Sequence, residues 1–253
     1  MSDNLVSIIT PTYNSLPFLH LTAKSILDQT YSNWEWCVTD DCSTDGSWEV
    51  IQKLAESDDR IKPIRLTENS GSGLARNNAI ERPTGRFIAF LDSDDIWPKE
   101  KLERHIAFML ENNAVFSHTS YGYIDEQGNR IKSTFRVSSH PVTYKHLLKR
   151  TEISCLTAIY DANSIGKFYM SEHRRKQDYA LWLAILKSGV KSIPLDEELA
   201  FYRQRKGSAT SNKRKLIFKH IEFLRTTQGF NYPQAGYYTL FWLANGIVRY
   251  YLK

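Results

Sequence analysis

At 253 residues, 42% of them hydrophobic and 13% aromatic, the chain carries apolar material for one large domain, or one domain with an appendage, and reads as globular. No N-terminal run joins a basic stretch, an apolar core and a small-residue cleavage site. No segment approaches the roughly 20 apolar residues that span a bilayer, so a cytoplasmic location is expected. The net charge of +5 is unevenly spread: residues 203 to 225 hold eight Lys or Arg against one acid, a net of +7, which leaves the rest of the chain at −2. Any basic partner surface is therefore C-terminal. Cys37, Cys42 and Cys155 form no C-x-x-C pair and leave an odd thiol, which fits a reducing compartment better than a disulfide scaffold.

In chain order, short apolar runs alternate with amphipathic ones. "LVSII" (5 to 9), "WEWCV" (34 to 38), "IKPIRL" (61 to 66) and "RFIAFL" (86 to 91) predict strands. Leu16 to Leu27, Trp48 to Leu54 and Leu74 to Ile80 predict the helices between them. Strand and helix at this spacing imply parallel pairing through crossovers, hence an α/β, Rossmann-like nucleotide-binding unit with a mostly parallel sheet. A helix is predicted from Pro98 to about Asn112, then a hairpin around "DEQGN", a helix from Gln177, and an extended run at "IPLDEELAFYRQ". Residues 211 to 253 form a predicted helical appendage divided at Pro233.

In open α/β sheets ligands sit beyond the carboxyl ends of the strands, where loops and helix N-termini converge. Three such ends are polar here: "TPTYN" (10 to 14), "TDDCSTDGS" (39 to 47) and "DSDD" (92 to 95). Ser43, Thr44 or Asp45 can be ordinary helix caps, but capping leaves Asp40 and Asp41 unexplained. Asp92, Asp94 and Asp95 repel one another unless something compensates, and a divalent metal with all-oxygen ligation, Mg²⁺ or Mn²⁺, is the natural candidate. A solvated turn, with Asp95 capping the helix near Pro98, is the alternative.

Taken together, "VSIITPTYN", "TDDCSTDGS", "ENSGSGLARNNAI", "RFIAFLDSDDIW" and "QDYALWLAIL" resemble family 2 glycosyltransferases of the GT-A fold, which are inverting enzymes using nucleotide-sugar donors. The resemblance covers roughly residues 5 to 211. "QDYALWLAILK" followed by "LAFYRQRKGSATSNK" is similar, more narrowly, to bacterial enzymes that extend lipid-linked O-antigen or capsule repeat units. It implies a catalytic domain over 1–210, with a nucleotide-sugar half (1–97) and an acceptor half (98–210), and transfer of a hexose or N-acetylhexosamine, from UDP, with formation of a β-glycosidic bond.

The resemblance further implies that Pro11 and Tyr13 border the nucleobase, that Asp41 accepts from its imide, and that Arg76 lies by the nucleotide. Asp92 would sit near the ribose and Ser93 would be a further nucleotide-binding residue, with Asp94 on the metal, Mn²⁺ or Mg²⁺. Asp178 would be the catalytic base, although the family often has Glu-Asp where this chain has Gln177-Asp178, and an N-terminal acid also suits a helix dipole. Where many relatives carry a histidine after "YR", this chain reads "YRQRKGSATS", so Arg205 is expected to neutralise the leaving diphosphate unless the segment is simply a solvated basic loop. The seven histidines show no metal-ligand spacing.

The partners implied are a nucleotide-sugar donor and a lipid-linked or oligosaccharide acceptor. The basic, aromatic C-terminal segment either packs on the domain or meets an anionic membrane surface from the cytoplasmic side. A sugar nucleotidyltransferase would share the fold and the acidic site, but "TPTYNSLPF" lacks the glycines of a triphosphate loop. A non-catalytic nucleotide-binding module is disfavoured by the intact acidic set. Nucleic acid is not an expected partner, since the basic stretch carries no recognised motif.

Overall fold

The computed structural model describes residues 4–171, 176–205 and 213–251. Strands β1 (Val6–Thr12), β2 (Trp34–Asp40), β3 (Ile61–Arg65) and β4 (Phe87–Phe90) pair in parallel in the order β3-β2-β1-β4. Helices α1 (Leu16–Leu27), α2 (Ser47–Ser57) and α3 (Ser72–Glu81) make the crossovers that parallel pairing requires. Every residue of β1 is buried because both faces are covered. Val6 and Ile8 pack with Leu19, Ile26 and Trp36 on one side, and Ile9 with Cys37, Ala79 and Ile88 on the other, following the two-residue period of a strand.

Two strands outrun their apolar residues. Register pairs Pro11 with Thr39 and Thr12 with Asp40, so the polar ends read as loops begin as strand. Helix α4 (Lys101–Glu111) starts later than Pro98 and has Glu100, not Asp95, as its N-cap. The expected hairpin is formed by β5 (Phe116–Ile124) and β6 (Arg130–Phe135).

Beyond it lie elements the sequence pattern did not reveal: α5 (Tyr144–Lys149), strand β7 (Ile159–Asp161) and α6 (Ala162–Ile165). At six, three and four residues they are too short to show a period. Yet β7 lies antiparallel between β4 and β5 and joins the two halves into one sheet. Helix α7 (Gln177–Lys187) packs Trp182 against Phe90 and Phe116, with ring centroids 5.2 and 5.4 Å away. Strand β8 (Ile193–Arg203) then runs parallel to β5 and carries Arg203 to the polar end of the sheet.

The C-terminal segment forms α8 (Lys213–Gln228) and α9 (Tyr232–Tyr251). Gly229, with φ of 71°, ends the first, and Pro233 falls in the first turn of the second, where a missing N–H costs nothing. The pair packs on the domain: Tyr144 donates to Gln228 at 2.8 Å, Trp242 Nε1 to Thr151 Oγ1 at 3.0 Å, and Asn245 to the Lys149 carbonyl at 3.1 Å. Phe218, Tyr232, Tyr237 and Leu240 stay exposed. Among the described residues, no helix is long and apolar enough to cross a membrane.

Gly85 marks a close approach at the entry to β4, since a Cβ there would lie 2.4 Å from Ser7 Oγ and 2.8 Å from the Leu5 carbonyl oxygen. Gly85→Ala is expected to destabilise the fold by about 1–3 kcal/mol, read as a lower urea midpoint at unchanged slope. Gly236→Ala, in α9 with open space around it, is expected to move the midpoint the other way, by up to about 1 kcal/mol.

Candidate active site

The carboxyl ends of β1, β2 and β4 open into a cleft of about 390 Å³. Pro11, Tyr13, Asp41, Arg76, Asp92, Ser93, Asp94 and Arg205 all line it. Eight of the nine residues singled out from the sequence are thus brought together from five separate segments. Asp178 lies outside this lining, at the N-terminus of α7. Thr12, Ser15, Asn69, Gly71 and Ser72 complete the wall and were missed as individual residues, because small polar side chains carry no signal of their own.

The acidic turn is compensated by arginines. Arg76 donates to Asp92 Oδ1 at 2.5 Å, and Arg205 lies 2.9 Å from Asp94 Oδ2. Asp95 is buried and accepts the backbone N–H of Arg203 at 2.8 Å. It is therefore an internal support and not a helix cap. Arg203 is also buried: its guanidinium donates to the backbone carbonyls of Asp94, Asp125 and Glu126, tying β8 to the acidic turn and to the β5–β6 turn. The solvated-loop reading therefore fails for Arg203, while Lys206 lies outside the described residues. Burial pushes the Asp94 and Asp95 carboxyls above their usual range. Neighbouring aspartates add to the rise, while Arg205 opposes it at Asp94 and Arg203 at Asp95.

The β2 end is equally organised. Asp40 accepts Ser43 N–H at 3.0 Å and pairs with Arg65 at 3.4 Å. Asp41 accepts the backbone N–H groups of Ser70 and Gly71 at 2.7 and 2.8 Å, one on each oxygen, which fixes the loop entering α3. Each oxygen keeps a second lone pair for a ligand. The cap of α2 is Gly46, not Ser43 or Thr44; Asp45 instead serves two helices, accepting Leu16 N–H at 2.9 Å and Ser47 N–H at 3.0 Å. In "ARNNA", Asn77 exchanges hydrogen bonds with the backbone of Met170, and Asn78 accepts from Thr39. These two asparagines tie α3 to the segment at Met170 and to β2.

Arg76 Nε and Thr12 Oγ1 are buried on or beside the cleft wall and have no hydrogen-bond partner among the described residues. Such donors cost free energy unless something accepts from them. Ser15 and Ser93 share a hydrogen bond at 2.7 Å across the same wall.

Asp178 stands in the electrostatic field of the cleft. Burial raises its carboxyl pKa; Tyr179 N–H and Arg76 pull it back, and Asp92 adds to the rise. Gln177 bridges to α3: its Oε1 accepts from Ser72 Oγ at 3.2 Å, and its amide covers Gly73, where a Cβ would come within 2.1 Å. Where relatives often have a second carboxylate, this chain thus has an amide packed over a neighbouring helix.

Among the described residues, no three His, Cys, Asp or Glu side chains converge on a point that could hold a metal ion. A Mg²⁺ or Mn²⁺ bound through one carboxylate, with water and phosphate oxygens completing its shell, fits what is present, since Asp94 lines the cleft and its side chain is 19% exposed. Among the histidines, His105, His118 and His220 are buried in hydrogen-bonded networks, and His173 lies outside the described residues.

The family model for glycosyl transferase family 2 matches residues 7–173. The chain is 42% identical over 226 residues, 87% of its length and 89% of the relative's, to the provisionally named teichuronic acid biosynthesis glycosyltransferase TuaG of Bacillus subtilis. It is 40% identical over 88% of its length, and 87% of the relative's, to WfgD of Escherichia coli, a UDP-Glc:α-D-GlcNAc-diphosphoundecaprenol β-1,3-glucosyltransferase. In fold it is similar to residues 1–349 of Staphylococcus aureus TarS in complex with UDP-GlcNAc, with a TM-score of 0.73 at 21% identity, covering 98% of this chain and 76% of the other. The family match spans more than half of the chain, and the polar cleft at the strand ends lies largely within it; the protein therefore belongs to glycosyl transferase family 2 and is a glycosyltransferase of the GT-A fold.

Proposed function

We propose that the protein transfers a sugar, with inversion, from a UDP-sugar to a hydroxyl of a lipid-linked saccharide during synthesis of a bacterial surface polysaccharide, forming a β-glycosidic bond. The observation that carries this reading is the cleft itself, where Arg76 and Arg205 face Asp92 and Asp94 and unpaired donors remain on Arg76 and Thr12. Two cations and spare donors beside a metal-capable carboxylate suit a diphosphate. The names of WfgD and of WfaP, which is 36% identical over 97% of this chain, support UDP-glucose as donor and a GlcNAc-diphosphoundecaprenol acceptor.

On this reading Pro11 and Tyr13 provide the face against the base, Asp41 its edge acceptor, and Asp92 with Ser93 the ribose contacts. Asp94 would hold Mn²⁺ or Mg²⁺, which supplies charge stabilisation to the diphosphate. Asp178 takes the proton of the acceptor hydroxyl as its oxygen bonds to the anomeric carbon. The bond from that carbon to the phosphate oxygen breaks, and UDP leaves with its charge balanced by Arg205 and Arg76. A base needs a pKa nearer the working pH than a free aspartate has, and burial moves Asp178 that way. The exposed Phe218, Tyr232, Tyr237 and Leu240, with the basic charge of residues 203 to 225, support docking of the C-terminal helices on an anionic membrane, where such an acceptor resides.

Four measurements test the reading. Thermal shift with a panel of sugar nucleotides and Mn²⁺ is expected to single out UDP-glucose, whose binding stabilises by mass action. Asp94→Asn is expected to keep the melting temperature, because it relieves an anion cluster, while abolishing metal-dependent UDP affinity and nearly all transfer; unchanged metal dependence excludes Asp94 as the ligand. Asp178→Asn is expected to keep UDP-glucose affinity within a few-fold and to lower turnover roughly 10²- to 10⁴-fold, because an amide cannot take the acceptor's proton. Reversing Lys213, Arg214 and Lys215 to Glu is expected to weaken co-sedimentation with anionic vesicles, at about 1 kcal/mol per basic residue, and equal binding of the unaltered protein to neutral vesicles removes the membrane proposal.

A further inference from the structure

Lys176 directly precedes α7 and caps it in the left-handed conformation, with φ of 56° and ψ of 34°. A non-glycine residue there costs on the order of 1–2 kcal/mol, so its surroundings must hold it. Its carbonyl accepts Ala180 N–H at 2.9 Å, which closes the first turn. Its ammonium enters a cage built largely by the C-terminal helices. Nζ lies 2.5 Å from His220 Nδ1, 4.6 Å from the Trp242 ring centroid and 5.5 Å from that of Phe223. Tyr179 of α7 forms the remaining wall at 6.0 Å.

The cage is itself anchored. His220 is fully buried and stacks on Trp242 with centroids 4.2 Å apart, and Trp242 is tied to Thr151. Burial lowers the Lys176 pKa to about 8 and that of His220 to about 3, with the lysine's charge adding to the latter. A neutral imidazole therefore accepts from the ammonium, and the charge of Asp178 favours keeping that ammonium protonated. If the only task were to join α7 to α8 and α9, an apolar side chain would do it at lower desolvation cost. The lysine contributes a directed anchor, with cation–π contacts and a hydrogen bond to one point.

We propose that Lys176 is a positioning residue for Asp178, and that α8 and α9 act on the active site by gripping it. The proposal rests on the reading of Asp178 as base. Gripped at Nζ by the C-terminal helices and at its carbonyl by the turn, Lys176 fixes the direction in which the next two residues project. Gln177 reaches Ser72 and covers Gly73, and Asp178 comes within the field of Arg76 and Asp92. A displacement of about 1 Å in a catalytic group is enough to cost on the order of 10²-fold in rate.

The test uses the full chain with UDP-glucose and GlcNAc-diphosphoundecaprenol. Lys176→Met keeps the aliphatic stem; Lys176→Gly removes the anchor but also relieves the left-handed strain, so its melting temperature is expected to fall by no more than a few degrees. Both are expected to lower kcat about 10- to 100-fold while the KM and calorimetric affinity for UDP-glucose stay within about threefold. Lys176→Arg keeps a cation for the cage and is expected to recover a substantial part of the turnover. Because Lys176 acts through Asp178, adding Lys176→Met to Asp178→Asn is expected to cost less than about threefold more. Turnover within about twofold of the unaltered protein in both the Met and Gly variants, with Asp178→Asn inactive, overturns the positioning role and leaves the base reading standing. A fully additive loss in the double variant overturns it as well. An active Asp178→Asn removes the base reading and this inference with it.

Discussion

The site depends on charge compensation at the end of β4. Three carboxylates within four residues would repel by several kcal/mol at the effective dielectric of a protein interior. Here arginines from distant segments meet them: Arg76 from α3, Arg203 from the end of β8, and Arg205 just beyond it. The same pairings order charged side chains of both signs along the cleft wall. On the proposed reading, a diphosphate would offer the two cleft arginines, Arg76 and Arg205, an alternative anion and leave the aspartates free to take a cation.

That arrangement makes the cleft depend on the outer part of the sheet. Strand β7 is only three residues long, yet it is the link through which β5, and on it β8, join the parallel half. The register of β8 on β5 is what puts Arg203 beside Asp95 and Arg205 beside Asp94. The C-terminal helices extend the same logic to α7, since the buried His220 and the neighbouring Trp242 hold the residue that caps it. The cleft and the proposed base are thus brought together by the N-terminal loops, the returning edge strand and the cap of a helix gripped from behind.

Much of this was legible in the sequence for a physical reason. Strands buried on both faces must be apolar, and crossover helices must be amphipathic, so β1 to β4 and α1 to α3 announce themselves through periodicity. Polar clusters at the ends of apolar strands, such as those at Asp40–Asp41 and Asp92–Asp95, violate that pattern and therefore mark the site. Arg76, Asp94 and Arg205 were found in this way or through the motif set that surrounds it, and they share one cleft.

What remained hidden depends on contacts between residues far apart in the chain. β7 and α6 are shorter than any period, and α5 spans hardly more than a turn and a half. The sequence shows three aspartates and a basic stretch, but it does not show that Asp95 is an internal support while Asp94 faces the cleft; only the approach of β8 separates their roles. Nor does it distinguish Lys176 from the arginines before it or the lysines after Arg205. Composition and periodicity determined the class of fold and the end of the sheet where the polar cleft opens, because they report burial along a single segment. Tertiary structure alone decided which charge answers which, because pairing energies depend on distances across segments that no local pattern encodes.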